Sequence, residues 1–126
     1  MIIETPTSSL ERRIIECGIA VHRVFGPGLF ESIYEAAFCI ELKDQGLTYT
    51  RQIALPVLYK GQLLGEHRPD VIVENQVVVE IKSIDRLAPV HTAQMLTYLR
   101  LAELHVGLIL NFNNAVLTQG IKRVLR

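Results

Sequence analysis

The residues of this 126-residue chain best suited to chemistry are Asp70, Glu80 and Lys82. The run Val77-Val78-Val79-Glu80-Ile81 would be wholly apolar if it only packed, yet it carries a carboxylate and continues into Lys82. A carboxylate taken into the buried end of a strand is costly unless it is paired or metal-bound. Val71-Ile72-Val73 precedes this run with only Glu74-Asn75-Gln76 between, which predicts a hairpin of β-branched strands. If the turn is those three residues, position 73 faces 77. Asp70 then stands directly opposite Glu80, with Lys82 on the same face. Like charges so placed destabilise a sheet, and a divalent cation with an adjacent ammonium group would offset them. A slip of one residue would put the two carboxylates on opposite faces. The plainer alternative is a surface salt bridge of Lys82 with either carboxylate at a strand end.

Other residues could join them. His91, Gln94 and Tyr98 follow i, i+3, i+7 and share one helical face, and a helix that follows a strand in a βαβ unit begins near that strand's carboxyl end. His91 can equally be an ordinary first-turn residue, and Gln94 and Tyr98 can be buried hydrogen-bond partners. Gly28-Leu29-Phe30-Glu31-Ser32-Ile33-Tyr34 has the form GxxExxY, with Glu31 and Tyr34 sharing a face. Glu31 is either a first-turn charge favoured by the helix dipole or a functional carboxylate aimed into the fold. Arg68, Arg86 and Arg100 lie around these positions in sequence and are either phosphate contacts or solvated surface charges.

These side chains need elements to hold them. Ser8-Ser9-Leu10-Glu11 has the capping-box pattern and predicts a helix start. Leu10, Ile14, Cys17, Val21, Val24 and Phe25 then form one apolar stripe that ends at Gly26-Pro27-Gly28. A second helix is expected from about Phe30 to Gln45, burying Ile33, Tyr34, Ala37, Phe38 and Leu42, with Gly46 as terminator. Alternation of Ile53, Leu55, Val57 and Tyr59, a turn at Lys60-Gly61 and a further extended run at Leu63-Leu64 predict strands, with Pro56 marking an edge or bulge. The run 77–81, apolar on both faces, reads as a central strand covered on both sides. A helix from Pro89 to about His105 and a strand from Val106 to Phe112 complete a parallel βαβ crossover. Ala115–Gln119 is expected as a last edge strand before a basic tail, Lys122 to Arg126.

Composition sets the bounds. Residues 1–126 are expected as one domain, since halves of this length could not each bury a core. The charge balances at 13 basic and 13 acidic groups, against a whole-protein basic field, but residues 51–126 carry 9 basic and 6 acidic groups. Cys17 and Cys39 read as core hydrophobes, which suits a cytoplasmic location. No apolar run approaches the roughly 18–20 residues of a membrane span, and no leader pattern is evident. The four histidines are scattered, which argues against zinc. No GxSxG elbow or phosphate-binding glycine loop is present.

Pro69-Asp70 with Glu80-Ile81-Lys82 matches the signature of the PD-(D/E)xK nuclease superfamily. Gln94-Met95-Leu96-Thr97-Tyr98 resembles the QxxxY element of some of its exonuclease branches. Gly28 to Tyr34, with the layout through Asn111-Phe112, resembles the small bacterial and archaeal GxxExxY family. The resemblance spans roughly residues 10–123. It implies an α/β fold with an αβββαβ core, a mixed central sheet flanked by helices, and one active site. Asp70 and Glu80 would be metal ligands. Lys82 would orient the attacking water, and Glu31 would be the first-helix carboxylate, counted with the ligands. Gln94 and Tyr98 would support the metal or position a phosphate, with Tyr34 and His91 as further supporting residues. The expected cofactor is Mg²⁺ or Mn²⁺, whose preference for hard oxygen ligands fits phosphodiester hydrolysis of DNA or RNA. A homodimer is expected from the small size and apolar content. The alternative is a catalytically inactive module that keeps the fold for nucleic-acid binding or protein assembly.

Overall fold

A computed structural model describes residues 8–126; residues 1–7 lie outside the described residues. Helices α1 (Ser9–Phe25) and α2 (Glu31–Asp44) come first, followed by strand β1 (Tyr49–Arg51) and a hairpin of β2 (Leu55–Tyr59) and β3 (Gln62–His67). A second hairpin, β4 (Val71–Val73) and β5 (Val77–Lys82), leads into helix α3 (Pro89–Ala102) and strand β6 (Val106–Asn111). A 3₁₀ turn (Leu117–Gly120) and strand β7 (Ile121–Leu125) end the chain.

The strands β1-β4-β5-β6-β7 form one five-stranded sheet, in that order. Only β5 and β6 are parallel; every other pairing in it is antiparallel. One face of the sheet, through Val71, Val79, Ile81, Leu108 and Leu110, packs in a common core with Ile14, Cys17, Phe38 and Leu42 of α1 and α2. The other, through Ile72, Val78 and Ile109, packs against Met95, Tyr98 and Leu99 of α3. Strand β5 is apolar on both sides for this reason. The result is an α/β fold with a mixed sheet, in which α2-β1-β4-β5-α3-β6 gives the expected αβββαβ order.

Local sequence rules hold where packing agrees with them. Ser8 Oγ accepts the Glu11 amide at 3.2 Å and caps α1. The Glu11 carboxylate also accepts from Arg123 Nε at 2.6 Å, which ties α1 to β7. Pro56 sits in the separate two-stranded sheet of β2 and β3, where a missing amide is tolerated.

Several expectations are corrected. Val24, Phe25 and Ile33, assigned by spacing to buried stripes, are 74%, 48% and 44% exposed. The buried side of α1 ends at His22, one turn before the helix does. Ile33 lies roughly 100° around α2 from the buried Tyr34. Residues 115–119 do not form a strand; from Leu117 they belong to the 3₁₀ turn, and the expected basic tail is itself the edge strand, antiparallel to β6. It buries Ile121 and Val124, and the Arg123 charge that made it look like a tail is matched by Glu11. Helix α3 stops at Ala102, short of His105, because Glu103 takes a left-handed conformation (φ 57°). Strand β2 begins at Leu55 and not at Ile53, and β1 was not foreseen. Among the described residues, no helix is long and apolar enough to cross a membrane.

Candidate active site

The β4–β5 register pairs Val73 with Val77, Ile72 with Val78 and Val71 with Val79, so the next position sets Asp70 opposite Glu80. Two charge-assisted bonds continue the ladder there. The Asp70 amide donates to Glu80 Oε1 at 2.7 Å, and the Ile81 amide donates to Asp70 Oδ2 at 2.8 Å. Alternation puts Ile72, Val78, Glu80 and Lys82 on the α3 side of the sheet.

Glu80 is 5% exposed. Burial, reinforced by the neighbouring Asp70 charge, pushes its carboxyl up to about 8. Asp70 is also shifted upward, first by burial and then by the nearby Glu35 carboxylate, against the opposing pull of the Ile81 amide. The nearest cation is Lys82, whose Nζ lies 4.0 Å from Glu80 Oε2 and 3.4 Å from Gln94 Oε1. Tyr98, on the next turn of α3, has its hydroxyl pushed up to about 12 by burial, with the Glu80 and Asp70 charges adding to the shift. Its ring also receives His67, from the end of β3, edge-on at 5.8 Å between centroids.

The structure thus brings Asp70, Glu80, Lys82, Gln94 and Tyr98 together. Glu31, at the first turn of α2, accepts the Ser83 amide at 3.0 Å, immediately after Lys82. Tyr34 is fully buried and stacked on Phe112 at 4.4 Å between ring centroids. Its hydroxyl accepts from the Leu29 amide and donates to the Gly26 carbonyl, so it fixes the α1–α2 connection. Gly28 in that connection has φ 108°, which only glycine adopts freely. His91 Nδ1 accepts the Ala88 amide at 2.8 Å and so closes the start of its own helix. Arg68 is bound to Glu66 and to the Gln52 carbonyl; Arg86 and Arg100 are exposed.

Sequence reasoning missed Glu35 and Gln52. Glu35, one turn beyond Glu31, is 6% exposed and accepts from Arg51 at 3.0 Å and from Gln52 Nε2 at 3.2 Å. The same Gln52 amide donates to Asp70 Oδ1 at 3.2 Å, its backbone N–H donates to the Asp70 carbonyl, and its φ is 53°. A non-glycine residue held in the left-handed region beside the carboxylate pair is strain of the kind found at functional sites. The available signal was Glu35 four residues after Glu31, on the same helical face.

The donors fit a hard divalent cation. Two carboxylates share the end of a buried strand pair and face one ammonium group, Lys82, at 4.0 Å from Glu80, which leaves an excess of negative charge that a cation with oxygen preference relieves. Among the described residues, no group of three or more His, Cys, Asp or Glu side chains is arranged to hold a metal ion. A pair suits Mg²⁺, which is usually held by one or two carboxylates together with water and substrate phosphate. Asp70 and Glu80 would be that pair, whereas the Glu31 carboxylate accepts the Ser83 amide.

No curated protein and no solved structure matches the chain. A family model does, over residues 8–124, which takes in every element described above except the last residue of β7. The αβββαβ order, the Asp70–Glu80 pair at the end of the central hairpin and this match agree, and the chain belongs to the PD-(D/E)XK nuclease superfamily.

Proposed function

We propose that this protein is a metal-dependent nuclease that hydrolyses phosphodiester bonds of DNA or RNA, with Asp70 and Glu80 as ligands of Mg²⁺ or Mn²⁺. The observation that carries the reading is the placement of the two carboxylates directly opposite each other with Lys82 beside them. Bound there, the ion would act as Lewis acid and lower the pKa of a coordinated water. The rest is the work of the chain. Lys82, steadied by Gln94, holds the attacking water and offsets negative charge on the phosphoryl oxygens. Tyr98 keeps its proton and offers a hydroxyl donor beside the carboxylates. Gln52 and Glu35 fix the Asp70 side, and Glu31 fixes the residue after Lys82. Arg86 and Arg100, exposed on the surface, and Arg68 to a lesser degree, are available to more distant phosphates.

A homodimer extends this reading. It is supported by the β2–β3 hairpin, where Leu58, Tyr59, Leu63 and Leu64 are all more than half exposed. Cys17 and Cys39 are buried thiols that burial pushes up to about 11, inert groups that fit a cytoplasmic location.

The test is cleavage of labelled single- and double-stranded DNA and RNA with Mg²⁺ or Mn²⁺. Wild type should cut at least one substrate. Asp70→Asn and Lys82→Ala should each slow it by roughly 10²–10⁴-fold. Cutting at the wild-type rate by both variants would remove the assigned mechanism. Metal-dependent binding without any cutting would favour the inactive module.

A further inference from the structure

Phe30 breaks two rules at once. It occupies the N-cap of α2, where Ser, Thr, Asp, Asn or Gly is favoured, and it makes no side-chain capping bond. It is also 81% exposed, the most exposed large apolar side chain among the described residues. Local rules broken together without a stabilising return point to function.

Its backbone is held firmly. Ser83 Oγ donates to the Leu29 carbonyl at 2.9 Å, and the Ser83 amide donates to Glu31 Oε2 at 3.0 Å, so both chain neighbours of Phe30 are fastened to the residue that follows Lys82. The Tyr34 hydroxyl binds the Leu29 amide from the other side. The GxxExxY residues therefore fasten this loop to the end of β5 and leave the Phe30 ring in solvent. Leu29, Phe30, Glu31, Ser32 and Ser83 line an open cavity of about 410 Å³.

We propose that Phe30 is a stacking platform for an unpaired nucleobase next to the bond to be cut, which makes single-stranded nucleic acid, or a strand with a frayed end, the substrate class. The inference deepens the nuclease reading and takes its polarity from it: a strand whose phosphate lies at Lys82 brings a neighbouring nucleotide within reach of the cavity beside Ser83. A base inside a duplex has both faces covered by its neighbours, whereas an unpaired base offers a π-face to an aromatic ring. A backbone that is fixed before binding loses little freedom when the base arrives. The glutamate in the same cavity disfavours a phosphate there, which leaves it to a base.

The experiment uses the full chain in metal-free buffer, so that nothing is cut. The chain contains no tryptophan, so Phe30→Trp introduces a single reporter. Its fluorescence should be quenched on titration with short oligodeoxyuridylate or oligouridylate, the tighter of the two identifying the sugar, and should hardly change with a blunt duplex. By anisotropy, Phe30→Ala should weaken binding of the unpaired strands roughly tenfold or more and leave duplex affinity within twofold of wild type. An unchanged affinity for unpaired strands, or an equal loss for duplex, overturns the proposal. So does a Phe30→Ala variant whose only change is a loss of self-association in sedimentation, which would give the ring to a second copy of the chain. Quenching without any metal-dependent cleavage would leave the platform standing and remove the nuclease reading; cleavage with no Phe30 effect would do the reverse.

Discussion

Asp70 and Glu80 are joined by a backbone-to-carboxylate bond: the Asp70 amide donates to Glu80 Oε1 at 2.7 Å, while Asp70 Oδ2 receives the Ile81 amide at 2.8 Å. Each carboxylate thus commits one oxygen to the opposite strand and holds the pair in register beyond the last paired valines. The remaining oxygens meet Gln52 on one side and Lys82 on the other. Cross-strand bonding fixes the pair, and burial makes its double negative charge expensive.

The charge cost has a pH signature. Glu80 titrates near 8 in the folded chain against an ordinary value of 4.5, because of burial and then Asp70. The folded state therefore binds more protons than the unfolded state between those values, and stability falls as pH rises through that window. From this group, metal-free protein should have its highest thermal midpoint at and below about pH 4.5 and lose stability as pH rises toward 8. Glu80→Gln should flatten the profile, as measured by thermal unfolding across the range. A profile that is equally steep in the variant would refute the assignment.

Tyr34 tests the loop. Tyr34→Phe keeps the stack on Phe112 but removes the hydroxyl that serves both Leu29 and Gly26. Loss of those two bonds should destabilise the protein by roughly 1–3 kcal/mol. Chemical denaturation at constant m-value reads this directly, and an unchanged midpoint would show that the hydroxyl holds nothing.

Gln94 tests the lysine. Its Oε1 lies 3.4 Å from Lys82 Nζ, nearer than the Glu80 carboxylate oxygen at 4.0 Å. Gln94→Ala should leave the thermal midpoint within a few degrees, since the side chain is half-buried, and lower kcat by about tenfold with little change in KM. A pure KM effect would place Gln94 on the substrate and not on Lys82.

Much of this arrangement was legible in the residues. A three-residue turn between two β-branched runs fixes the register, and the register alone sets Asp70 against Glu80. The two-sided apolar character of 77–81 gives a covered central strand, and helix breakers at 26–28 and 46 delimit α2. What was not legible depends on tertiary neighbours. Glu35 looks like any helical glutamate until Arg51 and Gln52 close over it, and β1 is three residues whose partners lie twenty or more positions away. The last strand was hidden because Arg123 looks like a solvated charge until Glu11 meets it. Periodicity likewise assigned Val24 and Phe25 to a buried stripe, although it carries no information about where the neighbouring sheet stops.

The pair at the end of the central hairpin is best tested without a substrate. Calorimetric titration of Mn²⁺ into wild type, Asp70→Asn, Glu80→Gln and Lys82→Ala asks whether these two carboxylates bind the ion. One saturable site in wild type, lost in both carboxylate variants and kept in Lys82→Ala, is the predicted result. Wild-type binding in Asp70→Asn and Glu80→Gln would contradict it.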